Sequence, residues 1–188
     1  MKLCLLDTGG RISEIQRRLT SPGGYDFYKP LQRAVRAHCS GQQELVNDIL
    51  GSPVNDNERR YNQEAFEKFL AKFGGVRSLN SIESPKALEF PDAGISITTN
   101  PLFEVTKQGN LQIYSLWATQ KPPMTQRYGA VACHILRRAY SSTSLGNGSF
   151  LFYDLNNSRS YSERQITNNT ELILLADVNS IGTLVRNL

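Results

Sequence analysis

Two strand-like runs bracket a helix, and that bracket limits the fold more than any other feature of the chain. LQIYSLWA (111–118) and SFLFYDL (149–155) are rich in β-branched and aromatic residues. Between them, MTQRYGAVACHILRRAY (124–140) has a helical period, with Val131, Ile135 and Leu136 facing inward and Arg127, Arg137 and Arg138 facing outward. Upstream, ISITT (95–99) and LFEVTK (102–107) alternate in polarity, and Asn100-Pro101 and Gln108-Gly109-Asn110 read as turns. Three consecutive runs joined by short turns predict an antiparallel meander. A further strand after a crossover helix makes the sheet mixed. The expected fold class is therefore α/β, a mixed sheet flanked by helices.

The first 75 residues read differently. RISEIQRRLT (11–20) has Ile12, Ile15 and Leu19 at helical spacing, and SPGG (21–24) should end it. A second helix starts near Asp26 with Pro30 in its first turn, where the missing N–H costs nothing. A short helix follows over 42–50. NERRYNQEAFEKFLAKF (57–73) is the clearest, with Tyr61, Ala65, Phe66, Phe69, Leu70 and Phe73 in one stripe and Gly74-Gly75 closing it. At the other end SYSERQI (160–166) is a weaker strand candidate. The last segment reads as a helix with Asn169 or Thr170 as cap and Glu171 in the first turn. We expect one domain over 1–188, mainly helical over 1–75 and sheet-containing over 85–188.

Hydrophobic residues make up 39% of the chain and charged residues 20%, enough apolar material for a packed core. A net charge of +4 permits an acidic partner without demanding one. Cys4, Cys39 and Cys133 are too few and too scattered for a disulfide framework and fit a reducing compartment. The opening MKLCLLDTGG lacks the apolar stretch of about 7–15 residues of a signal peptide, and no window reaches the ~18 apolar residues of a membrane span. The expectation is a cytoplasmic protein with no membrane partner.

The element order helix, three strands, helix, strand over about residues 57–155, roughly half the chain, resembles the common core of the PD-(D/E)XK nuclease superfamily. The resemblance implies a restriction-endonuclease-like core with a carboxylate on one strand of a hairpin and a (D/E)-x-K triplet on the next. The carboxylates would hold Mg²⁺, which polarises the phosphodiester and lowers the pKa of a bound water; the lysine would help position that water. Carried onto this chain, the first carboxylate falls on Glu104. The triplet falls on Ser115-Leu116-Trp117, eleven residues later. Residues two apart on a strand share a face, so Ser115 and Trp117 occupy the working positions. Serine is a poor Mg²⁺ ligand, and tryptophan cannot act as an ammonium. In that register the catalytic triplet is absent.

A second register uses Pro91-Asp92 as the PD and starts the triplet at Glu104, with Lys107 one place late and facing the other side unless a β-bulge intervenes. Asp92 and Glu104 are then the candidate metal ligands, and Lys107 or Lys121 the candidate lysine. The ordinary reading is that Asp92 is a turn residue and Glu104 a solvated strand residue. Glu64 and Glu67 are candidates for the family's acidic residue on the preceding helix, although any charged helix offers such a match.

His38-Cys39 and Cys133-His134 raise the thought of a zinc site, but adjacent residues on a helix diverge by about 100° and rarely share a metal. The glycine-rich segments at 7–11, 21–25 and 144–149 lack phosphate-cradling spacings and read as turns. Lys121, Arg127, Arg137 and Arg138 would border the groove of a nuclease-like fold and could neutralise phosphates; Tyr114, Trp117 and Tyr128 could stack bases. The competing reading makes these solvated helix faces and puts Trp117 in the core with Leu111 and Ile113. The expectation is a non-catalytic protein of nuclease fold that binds DNA or RNA. The alternatives are a Mg²⁺-dependent nuclease with a rearranged site, and a module that binds a protein partner through the helical first 75 residues.

Overall fold

A computed structural model describes residues 2–20 and 26–188. The predicted SPGG stop at 21–24 lies outside the described residues. The described chain folds in the order α1 (Thr8–Thr20), α2 (Lys29–Cys39), α3 (Gln43–Gly51), α4 (Asp56–Phe73), β1 (Leu79–Ser81), β2 (Lys86–Phe90), β3 (Ile95–Thr99), β4 (Phe103–Lys107), β5 (Asn110–Trp117), α5 (Gln126–Tyr140), β6 (Ser149–Asp154), β7 (Arg159–Ser162) and α6 (Asn168–Asn187).

Five strands form the central sheet in the order β1-β4-β5-β6-β7. β5 and β6 run parallel, with Ser115 opposite Phe152 and Trp117 opposite Asp154; every other neighbouring pair in this sheet is antiparallel. The crossover through α5 makes the sheet mixed, as the bracketed helix predicts. β2 and β3 form a separate two-stranded sheet.

That last feature corrects the meander. ISITT is not the first strand of the central sheet: it pairs with KALEF, which returns through a 3-10 turn at Pro91–Ala93 and a left-handed Gly94 at φ 64°. The third strand of the meander is supplied by β1 instead, with Asn80 opposite Glu104. Pro101, without an N–H, ends β3 and lets the chain change sheets before β4 begins.

One face of the sheet carries Phe103, Val105, Tyr114 and Tyr153, packed on α2, α3 and α4 through Leu31, Val35, Val46, Phe66, Phe69 and Phe73. Phe73 sits at the centre of this layer, with ring centroids 5.0 Å from Phe103, 5.2 Å from Tyr114 and 5.2 Å from Tyr153. The opposite face carries Ile113 and Phe150 under Leu136 and Tyr140 of α5, and Trp117 against Met124, Cys133 and Tyr161. α5 is buried again on its outer side, where Val131 and Ile135 meet the β2–β3 hairpin and Leu174 and Val178 of α6. Helices thus cover both sheet faces.

The helix ends follow capping chemistry. Asn55 accepts from the Asn57 and Glu58 N–H groups at the start of α4, and Thr125 from Tyr128 N–H at the start of α5. α6 starts two or three residues earlier than the expected cap: Thr167 forms a capping box with Thr170, and Glu171 falls in the first turn as expected.

Candidate functional site

β5 outruns its partner. β4 begins at Phe103 opposite Tyr114, and Leu102 N–H donates to Tyr114 O at 2.9 Å. Beyond that point Ser115, Leu116 and Trp117 pair only with β6. Backbone groups alternate between the two sides of a strand, and Trp117 O accepts from Leu155 N–H on the β6 side. Leu116 therefore turns its N–H and C=O to the open edge.

A cavity of about 540 Å³ lies along this edge, within the size range of small-ligand sites. Its floor is Ser115–Thr119. One wall comes from the start of α2, with Asp26, Tyr28, Leu31 and Gln32; another comes from Ile97 to Asn100 of β3 and its turn. Ala132, Ile135 and Leu136 of α5 close the back. The position is the carboxyl end of a parallel strand pair, where open α/β sheets leave a crevice because the chain departs in different directions.

The wall from α2 is held by a residue that sequence reading passed over. Tyr28 at the N-cap makes no side-chain cap. Asn62 of α4, fully buried, accepts from Leu31 N–H at 2.8 Å and donates to Phe27 O and Glu58 O, both at 2.8 Å. It caps α2 from a neighbouring helix and satisfies an amide that a helix start leaves without an intrahelical partner. Asp26, the acidic residue of the wall, accepts from Tyr28 N–H and from the Gln32 side chain.

The same end of the sheet is closed beside Trp117 by Asp154, also fully buried. Its carboxylate accepts from Asn156 N–H, Asn157 N–H and the Asn157 side chain, forming a tight turn after β6. Asn156 in turn donates to Ala118 O and accepts from Lys68. An acidic strand end followed by Asn-Asn is the local signal that marks this turn.

Ser115 and Trp117 point to the same side of the sheet, as the two-residue period requires, and both line the cavity. Trp117 is 7% exposed and packs in the core, and its Nε1–H finds no acceptor among the described residues. Glu104 lies one strand away, opposite Ile113 and Asn80 and outside the cavity lining. β4 pairs with β5 in unbroken register from Phe103 to Lys107, so no bulge turns Lys107 to the Glu104 side. Asp92 sits in the turn of the separate hairpin, where its backbone carbonyl accepts from Arg186. The fold does not gather these candidates. Among the described residues no three His, Cys, Asp or Glu side chains come together as a metal would require, and Ser115 with Trp117 is not a donor set that fits Mg²⁺.

The basic candidates separate as well. Arg137 is committed to the fold: it forms a two-pronged bond to Glu163 and donates to Gly146 O and Gly148 O, with Phe150 beneath its guanidinium. Arg138 is held by Glu171, which also meets His134. Arg127 lies over Tyr128, at the exposed start of α5. Lys121 is exposed on the loop leaving β5. The His-Cys pairs do not converge: Cys39 belongs to the layer under α2–α4, and Cys133 lies on the opposite face, donating to Tyr161 O. Burial pushes both thiols up to about 12.

No known family profile matches the chain, and no curated protein matches it. Among solved structures, a crystal structure described as "Putative exonuclease" from Eubacterium rectale aligns at 11% identity and a TM-score of 0.39, over 95% of this chain and 71% of that one. The crystal structure of SSO0001 aligns at 8% identity and a TM-score of 0.37, over 92% of this chain and 84% of that one. At such TM-scores the likeness carries no conclusion about activity. Among the described residues no helix is long and apolar enough to cross a membrane.

Proposed function

We propose that the protein is a non-catalytic nucleic-acid-binding protein that takes a single strand into the cleft at the open end of β5. The observation that carries the reading is the occupancy of the two strand positions beside the cleft. On the resemblance to the nuclease core, Ser115 and Trp117 take the places of the carboxylate and the lysine, and both line the cleft. Its lining suits an unstacked base. Leu31, Leu102 and Ile135 offer apolar surface, and Gln32, Asn100 and Thr119 offer both donors and acceptors. The open Leu116 edge adds one backbone donor and one acceptor. Single-strand binding combines such contacts with cationic surface that follows the phosphates.

The test is to incubate the pure protein with single- and double-stranded DNA and RNA, with Mn²⁺ or with EDTA, and to follow cleavage and binding together. The reading expects single-strand binding in both conditions and intact substrate. Mn²⁺-dependent cleavage that disappears in Glu104→Ala would overturn it in favour of a relocated metal site. Neither binding nor cleavage would remove nucleic acid as the partner and point to a protein partner for the helical first 75 residues.

A further inference from the structure

Away from the cleft, α1 and the loop leaving β5 enclose a shallow, open groove of about 520 Å³. Lys2, Arg17 and Lys121 line it, with Leu6 and Pro122 as apolar surface. One carboxylate, Glu14, holds three cations here. Arg17 Nη2 lies 2.8 Å from Glu14 Oε1, Arg18 Nη2 lies 3.1 Å from the same oxygen, and Lys2 Nζ lies 3.6 Å from Oε2. The other carboxylate nearby, Asp7, accepts from Gly10 N–H at the start of α1. Arg11, on the same helix, is neutralised by Asp177.

An ion pair on a helix surface adds little to stability. One acid needs one base for that, so helix stability does not account for three cations around Glu14. The excess leaves Lys2, Arg17, Arg18 and Lys121 facing Glu14 and Asp7, a net positive patch on one surface. Arg17 and Arg18 are about half exposed, so their guanidinium groups reach solvent while Glu14 fixes their directions. Arginine held in this way matches a phosphate in geometry and loses little freedom on binding one.

We infer that this groove is a phosphate-tracking surface of the protein, on which Lys2, Arg17 and Lys121, with Arg18 beside them on α1, engage the backbone of the bound single strand. The inference rests on the nucleic-acid reading above. Glu14 acts in it as a built-in competitor: it orients the cations and must share them with the incoming phosphate. The contacts are to backbone charge, so they add affinity without sequence preference.

The experiment is fluorescence anisotropy of a labelled single-stranded oligonucleotide with the full chain across a salt series. Each single-strand phosphate contact contributes about 0.7 to the slope of log K against log salt. Arg17→Glu and Lys121→Ala should each weaken binding several-fold and flatten that slope by about 0.7. Glu14→Gln should do the reverse, tightening binding and steepening the slope, an outcome that damage to α1 would not produce. Lys121→Ala, on an exposed loop, guards against misfolding of the α1 variants. If the wild-type protein binds but these variants keep its affinity and slope, the groove is overturned while the binding reading stands. If the wild-type protein does not bind, both fall.

Discussion

Asn62→Ala should unfasten the cleft wall, and its cost can be worked from three hydrogen bonds. The side chain is fully buried between α2 and α4. Its removal leaves Leu31 N–H, itself buried, without its acceptor and takes a donor from Phe27 O and Glu58 O. An unsatisfied buried amide costs about 1–3 kcal/mol, and loss of a helix cap about 0.5–2 kcal/mol. These describe the same Leu31 contact, so they do not add. The second bond that joins the two helices, to Phe27 O, contributes about 1 kcal/mol more. The expected total is about 2–4 kcal/mol, read as a lower midpoint in urea at unchanged slope. For a chain of this size the melting temperature should fall by roughly 4–16 °C. Asn62→Asp separates capping from volume. It keeps an acceptor for Leu31 N–H but turns a second oxygen toward two carbonyls, so it should be at least as harmful as alanine. Asp26, Tyr28 and Gln32 depend on this anchor, so Asn62→Ala should also weaken any ligand of the cleft. A loss of stability under about 0.5 kcal/mol would refute the assignment of Asn62 as the cap of α2.

Three further outcomes follow from named contacts. A Cβ at Gly129 would lie 2.3 Å from the buried Tyr161 ring, so Gly129→Ala should destabilise by about 1–3 kcal/mol despite alanine's higher helix propensity; a gain in thermal stability would contradict the close approach of α5 to β7. Arg11 and Asp177 form a mostly buried pair at 2.7 Å that ties α1 to α6. Asp177→Ala should cost about 3 kcal/mol, and Arg11→Met with Asp177→Leu should cost less than the sum of the two single changes, so strictly additive losses would sink the coupling. Hydrogen bonds from Arg17, opposed by partial burial and reinforced by Arg18, hold the Glu14 carboxyl at about 2 against an ordinary 4.5. A depressed carboxyl stabilises the fold above its unfolded pKa. The stability gap between the wild type and Glu14→Gln should therefore be full above about pH 5 and shrink as pH falls from 4.5 toward 2, whereas a gap that grows on acidification would contradict a carboxyl stabilised in its charged form.

The parts of the fold visible in the sequence are those with a local period. α4, α5, β5 and β6 each carry enough apolar residues at one spacing to declare their type. β1 and β2 escape because Leu79–Ser81 is only three residues with two exposed, and KALEF has a single buried position. The choice of partner for ISITT was invisible for another reason: pairing with KALEF or with LFEVTK is decided by tertiary packing on α5 and α6, and no local signal separates the two. At the site, the shared face of Ser115 and Trp117 follows from strand geometry alone. The walls do not, because residues 26–32, 97–100 and 132–136 meet only in the folded chain. Arg137 shows the same limit. On a helical wheel it is an outward cation, yet Glu163, on the turn after β7, claims it.

Single-strand binding in the cleft is tested most directly by titrating a labelled single-stranded oligonucleotide in EDTA with the wild-type protein and with Thr98→Trp. Thr98 is an exposed strand residue on the wall of the cleft, so the larger ring should obstruct the cleft while leaving the core intact. The expected result is saturable binding by the wild type, a loss of at least tenfold in the variant, which is about 1.4 kcal/mol, and full-length oligonucleotide recovered from both. Equal binding by a folded Thr98→Trp protein, or no binding by the wild type, would contradict it.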